Sequence, residues 1–192
     1  PESWKNLDIV QVLKEGKGFV LMANLVLSSF QKRMGADVGV KPGDEMKAAI
    51  TVAEELNIPC EMVDRPIQTT LRRAWGKNNL WGKCKLLATL ISTAFTKEEV
   101  SPEQIEQLKN SNEMDSMMAE LAEYLPTVKE VLIDERDQYL ATSIWKAKGN
   151  KIVAVLGAGH LPGVVKHLEA LAKGEESEDI SEISSLPKPG IG

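Results

Sequence analysis

The sequence predicts an α/β domain, rich in helix, with a small and mostly parallel sheet flanked by helices. Residues 152–156 are an unbroken aliphatic run between Lys151 and Gly157, the pattern of a strand buried on both faces. This run turns through Gly157, Gly159, Pro162 and Gly163 into a helical pattern that carries Val164, Val165, Leu168, Leu171 and Ala172 on one side. Residues 58–63 repeat the form, an apolar run that leads through Asp64 and Arg65 to Pro66 at the start of the next helix. Two strands are too few for a buried parallel sheet in a domain this size. The others are expected from residues 19–27, from sequence ahead of Pro1, or from a second copy of the chain.

The remaining elements follow in order. Helical spacing is read over residues 7–13 and over residues 19–34, where Val20, Leu27, Phe30 and Met34 recur until Gly35 ends the pattern. Residues 35–43, with three glycines and a proline, are a loop. Residues 44–57 form a helix whose first-turn Asp44 and Glu45 complement the helix dipole and whose buried stripe is Met46, Ala49, Ile50, Ala53 and Leu56. A short helix covers residues 71–75, and a longer one covers residues 80–95 through Leu80, Cys84, Leu87, Ile91 and Phe95. Ser101, Pro102 and Gln104 mark another helix start. Residues 114–124 and 126–148 complete the helical middle. The domain is expected over residues 1–173, and residues 174–192, acidic, serine-rich and without periodicity, are expected to be a disordered tail or linker.

Composition narrows the function. At 192 residues and 43% hydrophobic, the chain suits one domain with an ample core, and with only 5% aromatics that core must be aliphatic. Of the net charge of −5, the acidic tail supplies all but about one unit, so no basic surface for nucleic acid is implied. Cys60 and Cys84 lie far apart in apolar patterns and read as reduced packing residues. No apolar run approaches the roughly eighteen residues a membrane span requires. The chain opens at Pro1 with neither methionine nor a signal-like segment, which suggests an excised domain.

Chemistry-bearing residues gather at the ends of the predicted strands. His160, one of two histidines, is expected at the carboxyl edge of the sheet, where open α/β folds hold ligands, and Gly157 and Gly159 let the backbone approach a ligand closely. The plainer alternative is a solvated loop histidine. If the strands are parallel, Asp64 and Arg65 converge on the same edge as binding residues, unless they only cap the helix from Pro66. On the helix after Pro126, four-three spacing puts Glu135 on the inward stripe with Val128, Val131, Leu132, Tyr139 and Thr142. A carboxylate there requires a cation, a metal or a shifted pKa. Glu135 is thus a candidate catalytic group beside Arg136, or half of a structural Glu–Arg pair. Glu45, at the margin of its stripe, is a candidate acid and, with His160, a candidate metal ligand, or else merely a first-turn acid. Arg72, next to Arg73, is a candidate for the cleft, with a solvated face or a salt-bridge source the plainer reading of both. His160 and His167 are about 10 Å apart along a helix and cannot share an ion from it. The glycine spacing in GAGHLPG is not the dinucleotide fingerprint, so no nucleotide cofactor is expected, and a phosphate loop at residues 157–163 lacks the Lys or Ser/Thr that would complete it.

Four stretches together carry a family resemblance: KPGDEMKAAITVAEE at residues 41–55, MVDRPIQTTLRRAW at 62–75, VLIDERDQYLA at 131–141 and VAVLGAGHLPGV at 153–164. In this order they resemble the TraB/PrgY pheromone-shutdown proteins, grouped with GumN-like and TIKI proteins. The resemblance implies a fold shared with erythromycin-esterase-like and ChaN-like proteins, with its leading strands and a first GxxH motif ahead of Pro1. It implies a site built from GxxH histidines, acids and an arginine. Of the GxxH pair, the second is present as Gly157 to His160. Metal-dependent peptidase activity, assigned to TIKI relatives, would place a divalent ion at His160 with Glu45, Glu135 or both and a histidine from ahead of Pro1, and a peptide in the cleft, with Arg136 or Arg65 at the oxyanion. A peptide-binding or signalling module without turnover is the rival expectation. The resemblance also brings in a membrane anchor after this domain in the full-length protein.

Overall fold

The computed structural model describes residues 17–38, 43–95 and 111–187. The elements in order are α1 (Lys17–Val38), α2 (Asp44–Glu55), α3 (Ile67–Lys77), α4 (Leu80–Phe95), α5 (Ser111–Tyr124), α6 (Pro126–Lys129), a π-helical turn (Glu130–Asp134), α7 (Glu135–Lys146), a 3₁₀ turn (Ala158–His160), α8 (Leu161–Lys173) and α9 (Ser181–Ser184). Among the described residues there is no strand, which overturns the expectation of an α/β fold with a parallel sheet. Residues 58–63 and 152–156 are in neither helix nor strand, and neither segment makes a ladder with a described residue. A strand requires a backbone neighbour roughly 4.8 Å away, and helices are what pack beside these two. Exposure follows: Val153 is 80% accessible and Met62 82%, where burial on both faces was expected.

Two apolar clusters hold the helices together. Phe19 and Ala23 of α1, Leu71 of α3 and Leu86 of α4 meet Leu125 in the first, with Trp75, Leu87, Leu90 and Leu121 against them. Phe19 stacks on Trp75 at 4.7 Å between centroids, an aromatic pair that adds to plain area burial. The second cluster joins Leu140, Ala141 and Ile144 of α7 to Val164 of α8, and Val63 and Leu156 from the segments at residues 58–63 and 152–156 pack on it. Both segments are thus anchored beside the α7–α8 pair by one side chain each.

Local differences from the sequence reading have physical causes. α1 continues through Gly35 to Val38, since a glycine inside a helix costs only about 1 kcal/mol. In α4 the inward side chains are Leu86, Leu87 and Leu90, while Leu80 and Ile91 face outward. That helix is apolar nearly all round, so α1 decides which side is buried. Cys84, predicted inside, is exposed, as is Cys60; both are free. No residue of α2 is fully buried. The helices read at residues 7–13 and from Ser101 lie outside the described residues. No helix among the described residues is long and apolar enough to cross a membrane.

From Gly174, which ends α8 in the left-handed conformation at φ 71°, the chain folds back across α7 and α3 as far as Pro187. Ile183 of α9 is buried in this strap.

Candidate functional site

Three consecutive charged residues open α7, and successive side chains on a helix point about 100° apart, so each meets a different neighbour. Glu135 turns inward to α3, Arg136 turns to the segment ahead of α3, and Asp137 turns to the start of α8. The π turn lies immediately before them. Such turns carry an extra residue and are common at functional sites.

Glu135 is buried with its four acceptor positions filled. Arg65 donates through Nη1 to Oε2 at 2.6 Å, Arg73 donates through Nε to Oε2 at 2.8 Å and through Nη2 to Oε1 at 2.7 Å, and Lys77 donates to Oε1 at 2.7 Å. Burial alone would raise this carboxyl, but the bonds from Arg73, Lys77 and Arg65 outweigh it and hold the pKa at about 2. Burial lowers the Arg65 guanidinium in spite of Glu135, whereas the bond to Glu135 raises that of Arg73. Burial acts to lower Lys77 as well, yet the bonds to Glu130 and Glu135 raise it overall. Arg65 spends its other hydrogens on Thr70 Oγ1 at 3.0 Å and on the carbonyls of Val131 and Ile183. A carboxylate so saturated is a lock between α3 and α7, with no lone pair left for substrate or metal.

The next residue adds a second pair alongside. Arg136 grips Asp64 with Nη2 at 2.6 Å and Nε at 3.2 Å. Asp64–Arg65 and Glu135–Arg136 therefore pair crosswise, neighbour to neighbour, which fixes the register of the segment ahead of α3 on α7. The outer pair is partly solvated and contributes about 1 kcal/mol or less.

Asp137 completes the turn. Its carboxylate, almost fully buried, meets His160 with Nδ1 and Oδ1 2.6 Å apart. The backbone of His160 is held too, donating to the Gly157 carbonyl at 2.9 Å. His160 closes the 3₁₀ turn at the amino end of α8, where the helix dipole favours an anion such as Asp137. Gly163 makes room: a Cβ there would lie 1.9 Å from Asp137 Oδ2. With Nδ1 engaged, Nε2 is the free ring nitrogen, able to take a proton or a cation.

Of the other predicted residues, Glu45 lies apart on exposed α2, bonded to the Gly43 amide at 3.1 Å. Arg72 has its Nε buried with no hydrogen-bond partner among the described residues. Gly159 has nothing within 4 Å of a would-be Cβ, and Gly157 sees only the His160 ring. Among the described residues no three His, Cys, Asp or Glu side chains gather as ligands. These residues therefore offer an ion one fitting nitrogen and not a complete set. Asp137 and Lys77 escaped the sequence reading, while Arg73, named there with Arg72 as a solvated or salt-bridging residue, is the one of the two that bonds Glu135. Asp137 had a signal, since it shares a helical line with the buried Leu140, Ala141 and Ile144.

Comparison with known proteins gives this constellation a family. The family model described as TraB/PrgY/gumN matches residues 1–175. The chain belongs to the TraB/PrgY/gumN family. An uncharacterized protein of Methanocaldococcus jannaschii is 34% identical over 187 residues, 96% of this chain and 46% of that protein. TraB domain-containing proteins of Bos taurus and Homo sapiens are 27% and 25% identical, each over 88% of this chain and 47% and 48% of their own lengths. The chain spans about half the length of the curated relatives it matches. No solved structure matches it. In this TraB-family chain, α7 and the start of α8 supply the Asp137–His160 pair and α3 supplies the lock beneath it.

Proposed function

We propose that this chain contributes an aspartate-oriented histidine to a centre that hydrolyses peptides, and that the carrying observation is the buried Asp137 carboxylate on Nδ1 of His160. A carboxylate behind an imidazole fixes the tautomer in which Nε2 is bare and stabilises the imidazolium formed when Nε2 takes a proton. In this reading His160 Nε2 removes a proton from water as it attacks the peptide carbonyl, and returns that proton to the leaving amine. The developing oxyanion is assigned to Arg136, which is partly exposed and would have to leave Asp64 to reach it; Arg65 is fully enclosed and serves the lock. A divalent ion, which the family resemblance implies, would take the Nε2 lone pair of His160 in place of the proton, and its other ligands, Glu45 included, would have to be brought from elsewhere. Peptide pheromones are the kind of substrate that the family resemblance suggests.

The test is cleavage of a mixed peptide library by the full-length protein, read by mass spectrometry with and without chelator. His160→Ala should lose at least about a hundredfold in rate, the scale of general acid–base catalysis. Asp137→Asn should lose rate with KM unchanged. Cleavage that persists undiminished in His160→Ala would remove the proposal.

Exposed apolar backbone favours a second reading, a peptide-binding module without turnover. Residues 58–63 and 152–156 lie outside any helix, carry exposed Ile58, Met62, Ile152, Val153 and Val155, and make no backbone bond to another described residue apart from the Ile58 amide. An extended peptide can pair with such an edge. Saturable peptide binding that His160→Ala leaves intact, without cleavage, would favour this reading.

A further inference from the structure

The strap that follows α8 is held in an unusual way. Arg65 and Arg73, whose side chains are 0% and 2% exposed, reach past Glu135 to its backbone. Arg65 Nη1 donates to the Ile183 carbonyl at 2.8 Å, and Arg73 Nη1 donates to the Glu182 carbonyl at 2.7 Å and to that of Ser185. Ile183 is the strap's buried side chain, while Glu182, Ser184, Ser185 and Leu186 stay exposed around it. Beyond them Pro187 lies across Gly76 of α3, its Cγ 2.6 Å from where a Cβ would be, so the glycine opens the end of the groove. The strap therefore contributes carbonyls and one apolar anchor. That is how a groove recognises a peptide: main-chain bonds give affinity and a pocket for one side chain gives selectivity.

Charge points the same way. Arg65, Arg73 and Lys77 face Glu135 and Glu130, which leaves one positive charge over. Of the strap's acids, Glu182 is the one beside these cations, where it adds to the raising of the Arg73 guanidinium by Glu135, while Glu176 and Glu178 are held elsewhere. The strap's outer fastenings are few: His167 to Glu176 at 2.7 Å, Trp145 Nε1 to Glu178 at 3.0 Å, and Lys146 to the Glu178 carbonyl at 2.7 Å. A left-handed glycine, Gly174, joins the strap to α8.

We propose that the groove between α3 and the first turn of α7, floored by Arg65 and Arg73, is a peptide-binding site that the chain's own residues 182–187 fill in cis. Its ligand in trans is a short peptide in which an acidic residue precedes one β-branched apolar residue in the Ile183 position. This groove is distinct from the pair at His160, and the proposal stands whether or not that pair cleaves anything.

The experiment uses the full chain with Ile183→Asp, which unseats the strap while leaving both guanidiniums, and a fluorescent peptide with the sequence of residues 178–187. Helical circular dichroism establishes that the variant is folded. A strap tethered in cis competes at an effective concentration near the millimolar range. The variant should therefore bind the peptide saturably, and at least about tenfold more tightly than the unaltered chain does. The same peptide with Asp in place of its isoleucine should bind neither. A folded variant that takes up no peptide overturns the proposal. Hydrogen exchange on the unaltered chain decides the case in which the variant does not fold. The amides of Ser184 and Ser185, which are hydrogen-bonded to the Ile180 and Glu182 carbonyls, exchanging at least about tenfold faster than amides 140–144 of α7 show a strap that leaves its groove on its own. Equal exchange shows a strap that leaves only when the molecule unfolds, and this also overturns the proposal.

Discussion

With four donors on two oxygens, Glu135 converts burial into acid sensitivity. Its carboxyl has a pKa of about 2 folded against 4.5 as the unperturbed value, so the unfolded chain binds the extra proton as pH falls. The contribution is fully present above about pH 4.5 and is lost as pH drops through about 2, because a depressed carboxylate pKa makes stability rise with pH. Its size is on the order of 3 kcal/mol. Urea midpoints measured from pH 6 down to pH 2 should therefore fall in the native chain, while Glu135→Ala should flatten that part of the profile. The same substitution strands Arg65 and Arg73 without their anion and should cost about 3–5 kcal/mol at pH 7. A variant as stable as the native chain at neutral pH would show that the lock carries no load. Sequence spacing did place Glu135 on the inward stripe, and the alternative of a structural Glu–Arg pair describes the bonds it makes with Arg65 and Arg73. The partners were harder to name, since Arg73 and Lys77 on α3 look like any solvated basic face until the fold brings α7 against them.

At the scale of elements, the junction between α7 and α8 depends on a missing side chain. Gly163 stands in the first turn of α8 where the Asp137 carboxylate arrives, and Gly159, three residues after the 152–156 segment ends, faces open space. Gly163→Ala should cost about 1–3 kcal/mol, the usual range for overpacking a closed contact, and should push Asp137 off His160. Gly159→Ala should change thermal stability little. Equal melting temperatures for the two variants would mean that Asp137 has room to move. The glycines of GAGHLPG were legible as tight points, yet their use was not, because spacing shows where a Cβ is unwelcome and not which side chain excludes it. The strand patterns at residues 58–63 and 152–156 marked two segments that form no helix, with Val63 and Leu156 packed on the second cluster. They could not disclose a sheet, since pairing depends on a neighbour that lies elsewhere in sequence. The strap was hidden for a related reason: its hold on the protein comes from the carbonyls of Glu182, Ile183 and Ser185, and every residue has a carbonyl.

Across the whole molecule, two apolar clusters share one electrostatic joint. The first cluster belongs to α1, α3 and α4, the second to α7 and α8, and the Glu135 cluster ties α3 of the one to α7 of the other. Asp137 is two residues along the same helix, so the lock that joins the clusters also aims the carboxylate at His160. In the hydrolase proposed for this chain the atom that would act is Nε2 of His160. The most direct measurement is the tautomer of that ring in the intact protein, read from long-range proton–nitrogen NMR of the neutral imidazole. The account predicts a proton on Nδ1 with Nε2 bare, and a mixture of the two forms in Asp137→Asn. A native ring with its proton on Nε2 and Nδ1 bare would contradict it.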